Sequence, residues 1–266
     1  MPQRPDPELD RADHEAPDLS AVRTLLLDAD GNLFASEEPA FAASTGVTND
    51  LLEELGSDQR WAAADLQAAA LGRNFRSLAL DLAAELGARL EDDDLERWVA
   101  REQEVVTSHL AATLRPDPLV TRALERLGRD RELAVVSSSA LGRLAACFTA
   151  AELDDLLPAA ARFSAQDSLP TPTSKPDPAV YLHALERLGL DAHEALAVED
   201  AVSGARSAVA AGIPTVGNLV FVPEAERAER RAALLDAGAV AVVEDWDDLV
   251  ELLGSPSRPA TQEVPA

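Results

Sequence analysis

The chain has one cysteine in 266 residues, one lysine among its 23 basic residues, and no apolar run long enough to span a bilayer. Each scarcity removes a class of protein. With Cys147 as the sole thiol no intramolecular disulfide can form, so a reducing compartment, the cytoplasm, is expected. Cys147 lies in the helix-like run Leu144-Ala145-Ala146-Cys147-Phe148, whose surroundings offer no activating cation, and it reads as core rather than as a nucleophile. The longest uncharged stretch, Ser207 to Pro223, is broken by Gly212, Pro214 and Gly217 and falls short of the ~20 apolar residues of a spanning helix. The opening Met1-Pro2-Gln3-Arg4-Pro5-Asp6-Pro7 is too polar for a signal peptide, so no export is expected. Positive charge is also short. The balance of 23 basic against 48 acidic residues, a formal charge of -25, disfavours nucleic acid and anionic membranes as partners.

What is present suits a globular enzyme. The hydrophobic share is 47% and the charged share 27%, and the length allows one large domain or a domain with an insert. Residues 1 to 19 and 254 to 266 carry prolines and charges without apolar periodicity and are expected to be mobile tails. A first strand is expected near Arg23 to Asp28. From 35 to 115 the patterns are helical: a capped helix start at Thr48-Asn49-Asp50, Ala/Leu-rich runs at Trp61 to Leu71 and Phe75 to Leu86, and a long amphipathic run from Leu95 to Leu114. After Pro116, helices alternate with short apolar strands near Glu132 to Val136, Ala161 to Ala165, Ala195 to Val198, Ile213 to Val216 and Ala239 to Val243. Such alternation implies a doubly wound parallel sheet, an α/β core of residues 20–34 and 116–253 with a helical cap of residues 35–115 inserted after its first strand.

In such sheets ligands bind beyond the carboxyl ends of the strands, and four of those ends carry polar groups. The first run, Leu25-Leu26-Leu27, breaks into Asp28-Ala29-Asp30-Gly31. Strand alternation places Asp28 and Asp30 on one side, close enough for each to raise the other's pKa unless a cation shares the site. Paired acids of this kind suit a metal, although Asp-Gly is also a turn signature. The second strand ends in Ser137-Ser138-Ser139, which offers hydroxyls and the free N–H groups of a following helix to an anion, and which equally suits a helix cap. Lys175, before Pro176-Asp177-Pro178, is a compact point charge in a chain that otherwise uses arginine. The fourth strand ends in Glu199-Asp200, oxygen ligands suited to Mg²⁺ or to a helix start.

The ordered set resembles the haloacid dehalogenase superfamily, in its helical-cap phosphatase and phosphomutase branch related to beta-phosphoglucomutase. Asp28-Ala29-Asp30-Gly31 looks like the first motif, Ser137 the second, Lys175-Pro176 the third, and Glu199-Asp200 with Gly204 the fourth. The resemblance implies that Asp28 is the nucleophile and Asp30 the general acid and base. It also implies Ser137, with Ser138 beside it, and Lys175 as phosphoryl ligands. Asp28, Asp30, Asp200 and Glu199 would serve a Mg²⁺ ion. Relatives that cleave carbon–halogen bonds lack an acid at the position of Asp30, and phosphonate-cleaving relatives need a cap lysine that residues 35–115 do not contain. Phosphomutase relatives often show Asp-Ser-Glu-Pro or a histidine where this chain reads Ala35-Ser36-Glu37-Glu38-Pro39, which favours hydrolysis.

The expected function is hydrolysis of a small phosphorylated metabolite, such as a sugar phosphate, through an aspartyl phosphate. The alternatives are a sugar phosphomutase, a receiver-type phospho-accepting module, and a non-catalytic protein that has kept the fold. In the cap, Gly72-Arg73-Asn74-Phe75-Arg76 offers Arg73 and Arg76 to an anionic substrate, or is simply a solvated turn. The four histidines show no metal-ligand spacing. Asn32 stands where Thr or Val is commoner in the family, with no consequence that the sequence reveals.

Overall fold

The computed structural model describes residues 19–69 and 74–254. Six short strands form one parallel sheet: β1 (Thr24–Leu27), β2 (Glu132–Ser137), β3 (Arg162–Ser164), β4 (Ala195–Glu199), β5 (Thr215–Asn218) and β6 (Ala241–Val243), in the order β3-β2-β1-β4-β5-β6. All four residues of β1 are buried, as a strand covered on both faces requires. Leu25 and Leu27 join one apolar cluster with Leu124, Phe148 and Leu249, whereas Leu26 points into a second cluster with Val180, Tyr181 and Ala208. The first cluster is covered by α5 (Pro118–Leu127), α6 (Leu141–Ala150) and α10 (Trp246–Gly254), the second by α7 (Ala179–Leu188) and α8 (Val202–Ala210). The remaining core helix, α9 (Glu224–Asp236), sits against β5, where Leu234 occupies the space a side chain at Gly217 would need.

Strand order reverses at β1, which pairs with β2 on one side and β4 on the other in matching register, Leu27 opposite both Val135 and Val198. The crevice at that reversal opens beyond the carboxyl ends of β1 and β4.

Four helices intervene between β1 and α5: α1 (Glu37–Glu54), α2 (Ala63–Ala69), α3 (Phe75–Glu85) and α4 (Asp92–Thr113). They bury a cluster of their own around Val47, Leu51, Leu66, Leu82 and Trp98. The far half of α4 belongs to the sheet's core through Val106 and Leu110. The helix start expected at Thr48 does not exist, because α1 runs through it. Thr48 donates its hydroxyl back to the Ser44 carbonyl (2.9 Å) rather than capping, and Val47, Leu51 and Leu52 hold the helix against its neighbours. The strand near Ile213 begins two residues later, at Thr215.

Cys147 is buried in the α6 face, as expected, but a cation is close. Burial pushes the thiol up to about 12, Asp30 adds to the rise, and Arg143 opposes it without winning. The native protein should therefore resist alkylation at pH ~8 while the denatured chain reacts, a difference readable by mass spectrometry.

Candidate active site

Beyond Leu27 the chain leaves the strand and turns, with Leu33 N–H donating to the Ala29 carbonyl (2.9 Å). Asn32 makes this turn rigid. Its side chain donates to the carbonyls of Asp28 (2.9 Å) and Val198 (3.3 Å) and accepts from Asn218 (2.9 Å), all within the buried interior. It thus ties the ends of β1, β4 and β5 together. Neither Thr nor Val could donate twice and accept once in this way.

The turn sends the two aspartates to different partners. Asp28 Oδ1 accepts from Lys175 Nζ at 2.5 Å, and the same ammonium donates to Glu199 Oε1 (2.6 Å) and the Val136 carbonyl (2.7 Å). One oxygen each from Asp28, Glu199 and Asp200 fall within 4.8 Å of one another. The Asp30 carboxylate lies outside that trio. It accepts from Ser36 Oγ (2.6 Å), Ser139 Oγ (2.7 Å) and Arg143 Nη2 (3.0 Å).

Electrostatics follow this division rather than the expected mutual rise. Burial drives Asp28 up to about 7 against the opposing pull of Lys175, with Glu199 and Asp30 adding to the rise. Burial would also raise Asp30, but Arg143 and the two serine hydroxyls outweigh it and hold Asp30 below the ordinary carboxylate range. Asp200 is raised well above its ordinary value by burial, then by Asp28 and Glu199.

The trio fits a hard divalent cation. All its donors are carboxylate oxygens, and Asp200 Oδ1 and Glu199 Oε2 are buried without a hydrogen-bond partner among the described residues. Three carboxylates face one ammonium, which leaves negative charge uncompensated when all are ionised. The glycines keep the cluster open. Gly31 has φ +75°, and a Cβ there would lie 2.3 Å from Asp200 Oδ2; a Cβ at Gly204 would overlap the Glu199 carboxylate at 1.8 Å. Gly31→Ala should lower stability by about 1–2 kcal/mol from the left-handed backbone alone. If Mg²⁺ occupies the trio, the same variant should also weaken the stabilisation gained on adding the ion, as denaturant titration with and without it would record.

Ser137 and Ser138 stand at the end of β2 as expected, within a serine lattice. Ser137 Oγ accepts from Ser139 N–H (3.0 Å) and Ser138 Oγ accepts from Lys175 N–H (3.1 Å), so Ser138 links the β2 loop to the lysine. Of the cap pair, Arg73 lies outside the described residues. Arg76 is held by Glu96 in a bidentate pair (2.6 and 2.7 Å), and no bond among the described residues joins it to the site.

Sequence reasoning named Ser139 among the β2 hydroxyls but missed its contact with Asp30, and missed Ser36 and Arg143 there and Tyr181, whose hydroxyl donates to Glu199 Oε1. It also missed Arg230, which donates to the Asp200 carbonyl (2.9 Å) from α9. Only Tyr181 left a trace, as a polar group on the apolar face of α7.

A family model described as haloacid dehalogenase-like hydrolase matches residues 22–212. Protein CbbY of Cupriavidus necator is 40% identical over 129 residues, covering 46% of this chain and 45% of that protein. The match therefore spans less than half of that relative's length. A phosphorylated carbohydrates phosphatase of Thermotoga maritima is 32% identical over 156 residues, covering 57% of this chain and 66% of that protein. Among solved structures, a putative beta-phosphoglucomutase from Thermotoga maritima superposes with TM-score 0.64 at 25% identity, over 88% of this chain and 99% of that one. With the family match running from β1 through α8 and the acidic trio at the strand ends inside it, the chain belongs to the haloacid dehalogenase-like hydrolases.

Proposed function

We propose that the protein is a Mg²⁺-dependent phosphatase that hydrolyses a small phosphorylated metabolite, a sugar phosphate among them, through an aspartyl phosphate at Asp28. The observation that carries this reading is the buried pairing of Asp28 with Lys175 beside Glu199 and Asp200. Asp28, Glu199 and Asp200 would hold Mg²⁺, which when bound supplies positive charge against that of the phosphoryl group.

Lys175 and the Ser137–Ser138 loop orient the phosphoryl oxygens, and a carboxylate oxygen of Asp28 attacks phosphorus in line as the ester oxygen leaves. Asp30 protonates the departing oxygen and then takes a proton from the water that cleaves the acyl phosphate. As held here, Asp30 is charged and accepts three hydrogen bonds, the state suited to the second step. Serving as the acid requires it to exchange one of those bonds for a proton. Helices α1 to α4 act as a cap over the leaving group, within residues 35–115. Arg76 is paired with Glu96 at the surface and would have to leave that pair to meet an anionic substrate.

The phosphorylated carbohydrates phosphatase of Thermotoga maritima supports a phosphorylated-sugar substrate class, whereas the beta-phosphoglucomutase neighbour supports a mutase as the second reading. The single buried cysteine fits a cytoplasmic setting. Among the described residues no helix is long and apolar enough to cross a membrane. The test is inorganic phosphate release from a panel of sugar, polyol, nucleotide and glycolate phosphates, with and without Mg²⁺. Metal-dependent release from at least one sugar phosphate is expected. Interconversion of hexose phosphates without release would establish the mutase instead.

A further inference from the structure

Lysine has three N–H donors, and those of Lys175 are already assigned to Asp28 Oδ1, the Val136 carbonyl and Glu199 Oε1, with the side chain only 5% exposed. A phosphoryl group entering the site finds no free donor on the ammonium. One existing bond must be given up, and the acceptor left behind is buried. Abandoning a buried acceptor incurs its full desolvation penalty unless another donor remains on it.

The three acceptors differ in this respect. Among the described residues, Glu199 Oε1 is the one that also receives a second side-chain donor, the Tyr181 hydroxyl. Tyr181 is fully buried on α7, and its ring centre lies 5.2 Å from Lys175 Nζ. The hydroxyl therefore keeps Glu199 Oε1 satisfied when the ammonium turns away, and the ring's negative face holds the ammonium in place as it turns.

We infer that Tyr181 is a positioning residue that allows Lys175 to exchange its Glu199 hydrogen bond for one to the substrate phosphoryl group. The inference rests on the phosphatase reading above, in which Lys175 is a phosphoryl ligand. It separates two affinities that a general loosening of the site would move together. In the absence of phosphate, Lys175 still satisfies Glu199 Oε1, so losing the hydroxyl weakens Mg²⁺ binding less than it weakens phosphate binding. With phosphate present the lost hydroxyl orphans a carboxylate oxygen.

Tyr181→Phe should accordingly weaken inorganic phosphate binding at saturating Mg²⁺ by roughly tenfold, the equivalent of about 1.4 kcal/mol, as calorimetry and product inhibition would both report. Mg²⁺ binding by calorimetry without phosphate should change by a smaller factor than phosphate binding does, and an equal loss of both would overturn the inference. The wild-type chain offers an independent test, because Tyr181 is its only tyrosine and 3-fluorotyrosine labelling marks that position alone. Addition of phosphate with Mg²⁺ should shift the single ¹⁹F resonance, as the hydroxyl becomes the sole donor to Glu199 Oε1 from this pair. If wild type binds phosphate and releases it from substrates, yet Tyr181→Phe binds phosphate as wild type does and the ¹⁹F signal stays fixed, the inference is overturned alone. If wild type binds neither Mg²⁺ nor phosphate, the phosphatase reading falls and takes it along.

Discussion

Asp28→Asn is expected to reduce phosphate release by roughly ten-thousand-fold or more, since losing a covalent nucleophile leaves only binding and electrostatic contributions. The variant should fold well. Burial pushes Asp28 from its ordinary 3.8 up to about 7, so the folded state holds this proton more tightly than the unfolded chain does. A carboxylate raised in this way imposes no penalty below its unfolded value, and a growing one as pH climbs to the folded value. Above pH ~7 in metal-free buffer the ionised Asp28 is therefore a net destabilising group, and a neutral amide removes that burden. Thermal unfolding at pH ~8 without metal should find Asp28→Asn at least as stable as wild type. Added Mg²⁺ should reverse that order, because the ion stabilises the wild-type site by mass action and has lost a ligand in the variant. Loss of activity through misfolding would show instead as a lower midpoint in both buffers.

Lys175→Met acts on the same cluster from the opposite side. The ammonium is buried, its charge is favoured by Asp28 and Glu199 despite desolvation, and it is the ion-pair partner of both. Removing one member of a buried ion pair typically lowers stability by about 3–5 kcal/mol, because the remaining charge is left uncompensated. The carboxylates can relieve part of this by binding protons. Without the lysine the folded-state value of Asp28 rises further above its unfolded one, so the destabilisation should be smallest near pH ~5 and increase toward pH ~8. Activity should fall with stability, since the phosphoryl group loses its ammonium partner and Asp28 its orienting hydrogen bond. Denaturant midpoints across that pH range, measured beside wild type, give both the size and the sign. A loss independent of pH would show that Lys175 supports the fold through packing rather than through charge.

The sheet was legible because apolar runs such as Leu25-Leu26-Leu27 and Ala195-Leu196-Ala197-Val198 are bounded by polar turns, and strands buried on both faces leave that signature. The site was legible in part because Asp28, Glu199 and Asp200 sit at strand ends and Lys175 in the loop before α7, where the topology brings them together. Alternation failed two residues past β1. Asp30 meets other partners than Asp28 because the chain turns from Ala29, and those partners, Ser36, Ser139 and Arg143, come from three separate segments that no local pattern connects. The roles of Tyr181 and Asn32 were hidden for the same reason. A buried phenol or amide announces its role only once the acceptor it meets, Glu199 or the Asp28 carbonyl, is known. Thr48 misled because Thr-Asn-Asp favours a helix start locally, whereas packing around Val47 and Leu51 carries α1 straight through.

The most direct test of the central claim is acid quenching during turnover with Mg²⁺ and the best substrate of the panel, followed by peptide mapping in a mass spectrometer. The expected result is a phosphoryl adduct on Asp28 that builds up within the first turnover and is absent from Asp28→Asn. Steady turnover with no adduct on Asp28 at any quench time, together with inversion of configuration at phosphorus, would mean that water attacks the substrate directly and would contradict a covalent route.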